Sequence, residues 1–262
     1  MRVATWNVNS VRAREERLVA WLAASKPDVL CLQETKVVDE KFPIDACRAA
    51  GYEVAHFGQR TYNGVSILSR TPLEDVQRGF GDGEDDDQAR FIAATTMGVR
   101  VMSAYVPNGQ AVGSPKFDYK LRWLARLERY VQAHVEPAAP ALLCGDFNVA
   151  PADIDVYDPE AWRGSVLCTP EERAALARVC GDRLVDVVRR LHPDTVMYSW
   201  WDYRQLGFPK NRGLRIDHVL ATPALTGRLR AAGVDREARK GQQPSDHAPV
   251  WATFEVSAGP GA

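Results

Sequence analysis

Nowhere in its 262 residues does the chain carry the ~18 consecutive apolar residues of a membrane helix, so no membrane span is expected. The first residues, Met1-Arg2-Val3-Ala4-Thr5-Trp6, read as a strand and lack the apolar centre of a secretory signal. Cysteine is scarce: five residues, at 31, 47, 144, 168 and 180, an odd number without Cys-x-x-Cys spacing. This argues against a disulfide framework and a cysteine-based zinc site. Cys31 and Cys144 lie inside apolar runs, as buried free thiols of a reducing cytoplasm would. An excess of charge is missing too. Lys and Arg number 33 against 34 Asp and Glu, so a DNA-binding face would have to come from local asymmetry. The one dense acidic run, Asp82 to Asp87, is expected to be a solvated loop. No phosphate-cradling Gly-x-x-x-x-Gly-Lys loop, dinucleotide Gly-x-Gly-x-x-Gly motif or Ser-His-Asp elbow is present.

What the chain does contain is a series of short β-rich runs separated by helical segments, without repeats or a compositional break. A single α/β domain over residues 1–256 is expected, with the Gly-, Ala- and Pro-rich residues 257–262 as a disordered tail. The strand candidates are Val3–Val8, Asp28–Gln33, Tyr52–Phe57, Gly64–Leu68, Arg90–Thr96, Val99–Val106, Ala141–Cys144, Leu214–Ala221 and Pro249–Val256. Ser10 is placed to cap a helix running to Ser25, stopped by Lys26-Pro27. Ser114-Pro115 opens a second helix, and Thr169-Pro170-Glu171-Glu172 supplies a capping box for a third. Val29–Leu32 and Ala141–Cys144 are apolar throughout, so they should be covered on both faces. The fold class that follows is an α/β sandwich with mixed sheets.

Polar residues recur where apolar strands end. Asn7 closes the first, Glu34 follows the second, Tyr105 ends another, and Asp146 and Asn148 follow Ala141–Cys144. Asp217 interrupts Leu214–Ala221, and Asp246-His247 precedes the last strand. Loops at one set of strand ends commonly converge on a site, and so many carboxylates and amides are costly to bury together without a cation. Carboxylate and amide oxygens suit Mg²⁺ or Mn²⁺ rather than Zn²⁺. His218, in an apolar strand, is expected to be a packed core residue. His247, beside an acid in a proline-flanked turn, is expected to be a carboxylate-oriented imidazole. Such a set suits metal-assisted phosphoryl chemistry with an acid activating water.

In this order, Trp6-Asn7-Val8-Asn9, Leu32-Gln33-Glu34-Thr35-Lys36, Tyr105-Val106-Pro107-Asn108-Gly109, Gly145-Asp146-Phe147-Asn148, Arg212-Gly213-Leu214-Arg215-Ile216-Asp217-His218 and Ser245-Asp246-His247-Ala248-Pro249-Val250 resemble the exonuclease III and abasic-site (AP) endonuclease family. That family belongs to the endonuclease/exonuclease/phosphatase superfamily. The resemblance implies a four-layer sandwich of two packed mixed β-sheets flanked by helices, of the deoxyribonuclease I type. It implies a metal set drawn from Asn7, Glu34, Asp146, Asn148, Asp246 and His247. The catalytic roles it implies fall to Tyr105, Asp146, Asn148, Asp217 and His247, with His247 held by Asp246 and the general base left open between Asp146 and His247. Ser199-Trp200-Trp201-Asp202-Tyr203-Arg204 and Arg212 resemble the abasic-site recognition region of the repair branch. A base-free sugar costs little to extrude into such an aromatic pocket. The DNA-binding set implied is Arg90, Lys116, Trp200, Trp201, Arg204 and Arg212, with Lys120 as a further phosphate contact. Asn9 departs from the acid that animal relatives carry there.

The implied function is Mg²⁺-dependent hydrolysis (Mn²⁺ substituting) of the phosphodiester 5′ to an abasic site. A 3′→5′ exonuclease on double-stranded DNA and cleaning of blocked 3′ ends would accompany it, in a cytoplasmic monomer. The alternatives are a less specific DNA nuclease and a phosphoinositide or sphingolipid phosphodiesterase of the same superfamily.

Overall fold

The computed structural model describes residues 1–255. The tail expected at 257–262 lies outside the described residues. The chain runs β1 (Arg2–Asn7), α1 (Glu15–Ser25), β2 (Val29–Gln33), α2 (Ile44–Ala49), β3 (Glu53–Phe57), β4 (Val65–Ser69), β5 (Glu74–Arg78), β6 (Phe91–Thr96), β7 (Val99–Tyr105), α3 (Pro115–His134), β8 (Ala141–Asp146), α4 (Pro170–Cys180), β9 (Val185–Asp186), α5 (Val187–Leu191), β10 (Asp217–Ala221), α6 (Pro223–Thr226), β11 (Leu229–Val234) and β12 (Val250–Phe254). The strands make two six-stranded sheets, ordered β11-β12-β1-β2-β4-β3 and β5-β6-β7-β8-β10-β9.

Alternation along β1 shows how the layers arise. Val3 faces the other sheet with Val29, Cys31, Val101, Leu142 and Cys144. Ala4 and Trp6 face outward against Leu18, Trp21 and Leu22 of α1. On the second sheet, Met102, Ala104 and Leu143 face Trp123, Leu124 and Leu127 of α3 and Leu176 of α4. The result is the expected helix–sheet–sheet–helix sandwich, which is why β2 and β8 are buried along their whole length. Each fully buried Leu, Ile or Val contributes about 1.5–3 kcal/mol over its exposed state.

One parallel pair occurs in each sheet, β1 with β2 and β7 with β8, closed by α1 and α3 respectively. Those four strands therefore end at one edge of the sandwich. β10 runs antiparallel to β8, so its first residue Asp217 lies opposite Asp146, the last residue of β8. β12 runs antiparallel to β1, and the loop carrying Asp246 and His247 returns to the same edge. Gly145 is required here: a Cβ would overlap the Ala104 carbonyl of the neighbouring strand.

Several local expectations hold and others change. Ser114 Oγ accepts from Phe117 N at 3.2 Å, and Thr169 and Glu172 form a reciprocal capping box. α1 begins at Glu15 rather than near Ser10, after a short turn over Arg12–Arg14, and ends at Lys26 with φ 46°. β5, β9 and β11, and the short α2, α5 and α6, were not apparent from periodicity. The acidic run is the exposed loop expected, and it is also tied down. Arg126 of α3 pairs with Asp82, Glu84 and Asp86, and Arg129 pairs with Glu84, so the loop clasps the helix. Among the described residues no helix is long and apolar enough to cross a membrane.

Candidate active site

At the shared edge, the Asn7 amide is the central contact. Its Nδ2 donates to Glu34 Oε1 at 2.8 Å and to Asp146 Oδ2 at 2.9 Å, tying the two sheets together. Its Oδ1 accepts from Asn9 N at 3.0 Å. Asn7 thus organises the carboxylates as a donor and, in this arrangement, offers them no oxygen alongside. Asn148 behaves similarly, donating to the Val106 carbonyl at 2.9 Å and Asp146 Oδ2 at 3.3 Å, while its Oδ1 accepts from Asn108 at 3.1 Å.

His247 is oriented by a carboxylate, but not the one expected. Its Nδ1 lies 2.8 Å from Asp217 Oδ2, and its Nε2 faces Asp146 Oδ2 at 3.8 Å. Asp246, the sequence neighbour, points elsewhere: it accepts from the Trp200 indole at 3.0 Å and from Asn9 Nδ2 at 2.9 Å. Successive residues in extended chain project to opposite sides, so adjacency in sequence argued for the wrong partner. Asp217 is itself held by Ser199 Oγ, which donates at 2.6 Å and accepts the Asp217 and Ile216 N–H groups.

Glu34, Asp146 and His247 offer ligand atoms all within 4.8 Å of one another, and Asp246 is outside that group. Two hard carboxylates with a single imidazole fit a divalent cation of the magnesium and manganese class. Burial pushes the Glu34 carboxyl up, but Lys36 and the Asn7 amide outweigh it and hold it below the usual range. Asp146 is pushed up by burial, with Asp217 and Glu34 adding and His247 opposing. Burial favours a neutral His247, yet the Asp217 and Asp146 carboxylates outweigh it and raise the imidazole well above its ordinary value. The Tyr105 phenol is driven up by burial and by Glu34, so it stays protonated and able to donate. Asn9, Glu34, Lys36 and Asn148 all adopt left-handed backbone, with φ of 44°, 51°, 57° and 49°. Such strain persists where surrounding contacts over-determine it, and it gathers here around the carboxylates.

The DNA-contact candidates divide. Arg90 and Lys116 line a cleft of about 690 Å³ together with Glu34, Lys36, Tyr105 and Asn108. Arg90 also stacks over the Tyr105 ring, 4.7 Å from its centroid. Arg204 and Arg212 are exposed on the loop that follows the half-buried Trp200. Two candidates are corrected. Trp201 is 1% exposed and packs edge-on to Phe208 at 5.2 Å, so it shapes the loop from within. Lys120 is wholly buried, paired with Glu172 and donating to the Asn148 carbonyl at 2.6 Å and the Asn108 carbonyl at 3.1 Å. His218 is a core residue as expected, its Nε2 3.0 Å from the Val149 carbonyl. The sequence assigns no role to Ser199 or Asn108, and Asn9, noted as a departure, turns out to hold Asp246. Each stood inside a recognised motif, but the Trp200–Leu214 bridge that delivers Ser199 to Asp217 is non-local.

With this geometry in hand, comparison with known proteins is informative. Residues 4–247 match the Endonuclease/Exonuclease/phosphatase family. The chain is 37% identical to exodeoxyribonuclease III of Haemophilus influenzae, over 97% of this chain and all of that protein. The fold matches a Neisseria 3′ phosphatase solved with product DNA hairpin (TM-score 0.95, 44% identity, 98% of this chain and 100% of that one). It matches an AP endonuclease of Archaeoglobus fulgidus almost as well (TM-score 0.94, 40% identity, 98% and 100%). A shared fold, one cluster of acid, amide and imidazole at the sheet edge, and identity across nearly the whole length lead to one assignment: the chain belongs to the exonuclease III/AP endonuclease family of the endonuclease/exonuclease/phosphatase superfamily.

Proposed function

We propose that this DNA repair phosphodiesterase uses Mg²⁺ to hydrolyse the phosphodiester 5′ to an abasic site in double-stranded DNA, and removes 3′ nucleotides and blocked 3′ ends with the same machinery. The observation that carries this reading is the convergence of Glu34, Asp146 and an Asp217-held His247 around the Asn7 amide. Relatives named as an exodeoxyribonuclease III, a 3′ phosphatase and an AP endonuclease support it.

Glu34 and Asp146 are the residues to hold the ion, with Asn7 fixing both carboxylates and Asn148 bracing Asp146. Bound there, Mg²⁺ would offset charge on the phosphate oxygens and favour ionisation of water. Asp146 is placed to take the proton of the attacking water. His247, held charged by Asp217, donates to the non-bridging phosphate oxygen as negative charge builds on it. Tyr105 supplies a further donor near the leaving 3′ oxygen, and Asn148 keeps Asp146 oriented towards the attacking water. Arg90 and Lys116 in the cleft, and Arg204, Arg212 and Trp200 beyond, would follow the backbone on either side. Trp200, Leu214 and Ile216 form an apolar cluster with Ala150 and Val156, a fitting wall for a base-free sugar. The five unpaired cysteines suit a cytoplasmic setting, and the enzyme is taken to act as a monomer.

The direct test uses a labelled duplex with one tetrahydrofuran abasic analogue, and an intact duplex as control, in Mg²⁺ and in EDTA. Mg²⁺-dependent incision immediately 5′ to the lesion, much faster than loss of the control, is expected. Equal digestion of both would make it a less specific nuclease, and no cleavage of either would favour a phosphatase of the same superfamily.

A further inference from the structure

Glu34 and Lys36 both sit in left-handed backbone, and the residue between them is the one that is anchored. Thr35 is fully buried. Its N–H donates to the Gly64 carbonyl at 3.2 Å, and the Lys36 N–H to the Asn63 carbonyl at 2.9 Å. Gly64 has φ +91°, and a Cβ there would overlap the Thr35 hydroxyl, so the strand after the loop leaves room for this side chain alone. The hydroxyl meets His56 Nε2 at 2.8 Å. His56 is 4% exposed at the end of β3 and lies against Phe42, centroids 4.4 Å apart. Its other nitrogen, Nδ1, is 2.9 Å from Asp39 Oδ1, off the line of a straight hydrogen bond. Asp39 also accepts from Gly58 N at 2.7 Å, closing the loop around the ring.

We propose that Asp39, His56 and Thr35 form a positioning relay that fixes the Glu34–Lys36 turn and so sets the affinity of the site for its divalent ion. None of the three touches the ion or the DNA. The chain of contacts runs from a surface carboxylate, through a buried ring, to the one hydroxyl between two strained residues. With the proton on Nδ1, close to the Asp39 carboxylate, the ring accepts the Thr35 hydroxyl's hydrogen bond through Nε2. Burial, pushing the imidazole down to about 4, keeps that nitrogen free to accept. Without the hydroxyl–ring bond, the residue between Glu34 and Lys36 would lose its side-chain anchor, and the strained turn would rest on its backbone contacts and on the side chains at its two ends. Glu34 would then spend less time in the position that Asn7 and Lys36 define.

This inference rests on Glu34 being a metal ligand, and its test separates the two. Mn²⁺ binding to metal-free protein, without DNA, is followed by electron paramagnetic resonance of the free ion for wild type, Thr35→Val, His56→Leu, His56→Gln and Glu34→Ala. Thermal unfolding of each is recorded in parallel. Thr35→Val and His56→Leu are expected to weaken Mn²⁺ about tenfold, the scale of one lost buried hydrogen bond. His56→Gln, whose amide can meet the hydroxyl, should keep most of the affinity, and Glu34→Ala should lose it. Wild-type affinity in Thr35→Val and His56→Leu beside a dead Glu34→Ala overturns the relay, as does His56→Gln binding as weakly as His56→Leu. Undiminished Mn²⁺ binding by Glu34→Ala overturns the reading of the site itself. Thr35→Val is nearly isosteric, so it carries the test if the leucine variant fails to fold.

Discussion

Asp217 reaches the reaction only through His247, and Ser199 only through Asp217, so the three form a graded series at the residue scale. Asp217→Asn removes the charge that keeps the imidazole protonated and is expected to lower kcat about 10²- to 10³-fold, the range of a lost donor to a developing oxyanion. Ser199→Ala leaves the carboxylate in place and should cost far less. Steady-state kinetics on the abasic duplex decide the order, and equal losses would mean that Ser199 does more than hold Asp217. Asp146→Asn and Glu34→Ala should each reduce turnover by orders of magnitude with circular dichroism unchanged, and near wild-type rates in either would remove that residue from the mechanism. The identity of these groups was legible because each follows an apolar strand, where a buried carboxylate has no structural reason to be. Their pairing was not. Asp246 adjoins His247 in sequence, but Asp217 is brought to it by the antiparallel register of β10 against β8.

At the scale of elements, α3 and α4 do more than cover the second sheet. The capping-box acid Glu172 accepts from Leu167 N and Thr169 N, and also pairs with Lys120, whose ammonium holds the Asn108 and Asn148 carbonyls. One buried cation thus joins two helices to the loops after β7 and β8. Lys120→Met strands Glu172 and two carbonyls, and should destabilise the fold by about 3–5 kcal/mol, as breaking a buried pair does. Lys120→Met/Glu172→Gln should regain part of that, measured by chemical denaturation. A loss below about 1 kcal/mol in the single variant would place the pair at the level of a surface contact. The capping box itself could be read from Thr169-Pro170-Glu171-Glu172, because it is local. Its second partner could not, since Lys120 lies on another helix and charged residues are seldom buried without one. Short elements such as β5 and β9 escaped for a related reason: an exposed edge or a two-residue strand has no periodicity to detect.

For the whole molecule, a continuous inter-sheet core, from Val3 through Cys144 to Phe254, argues that residues 1–255 unfold as one unit. A single calorimetric transition is expected, and two resolved transitions would divide the chain. His56 adds a pH signature to that stability. Buried, and facing Asp39 and Arg78, it titrates near 4 when folded but near 6.5 when unfolded. The unfolded chain therefore takes up the proton first. Stability from the neutral ring is intact above pH ~6.5 and drains away towards pH ~4, about 3 kcal/mol in all. His56→Gln should flatten that part of the denaturation curve, and an unchanged slope between pH 4 and 6.5 would dismiss the effect. The layered architecture was foreseeable from strands apolar on both faces, but which strands neighbour one another was not, because β1 pairs with β12 from the far end of the chain. That pairing has a temporal meaning. On the ribosome β1 emerges long before its neighbour β12, so Asn7 must wait for His247 and the Trp6 indole for the His247 carbonyl it donates to, 241 residues along the chain. Half-made chains can collapse around β2, β4 and the second sheet, yet none of them holds a finished site, and nuclease activity should switch on only once His247 and β12 have emerged.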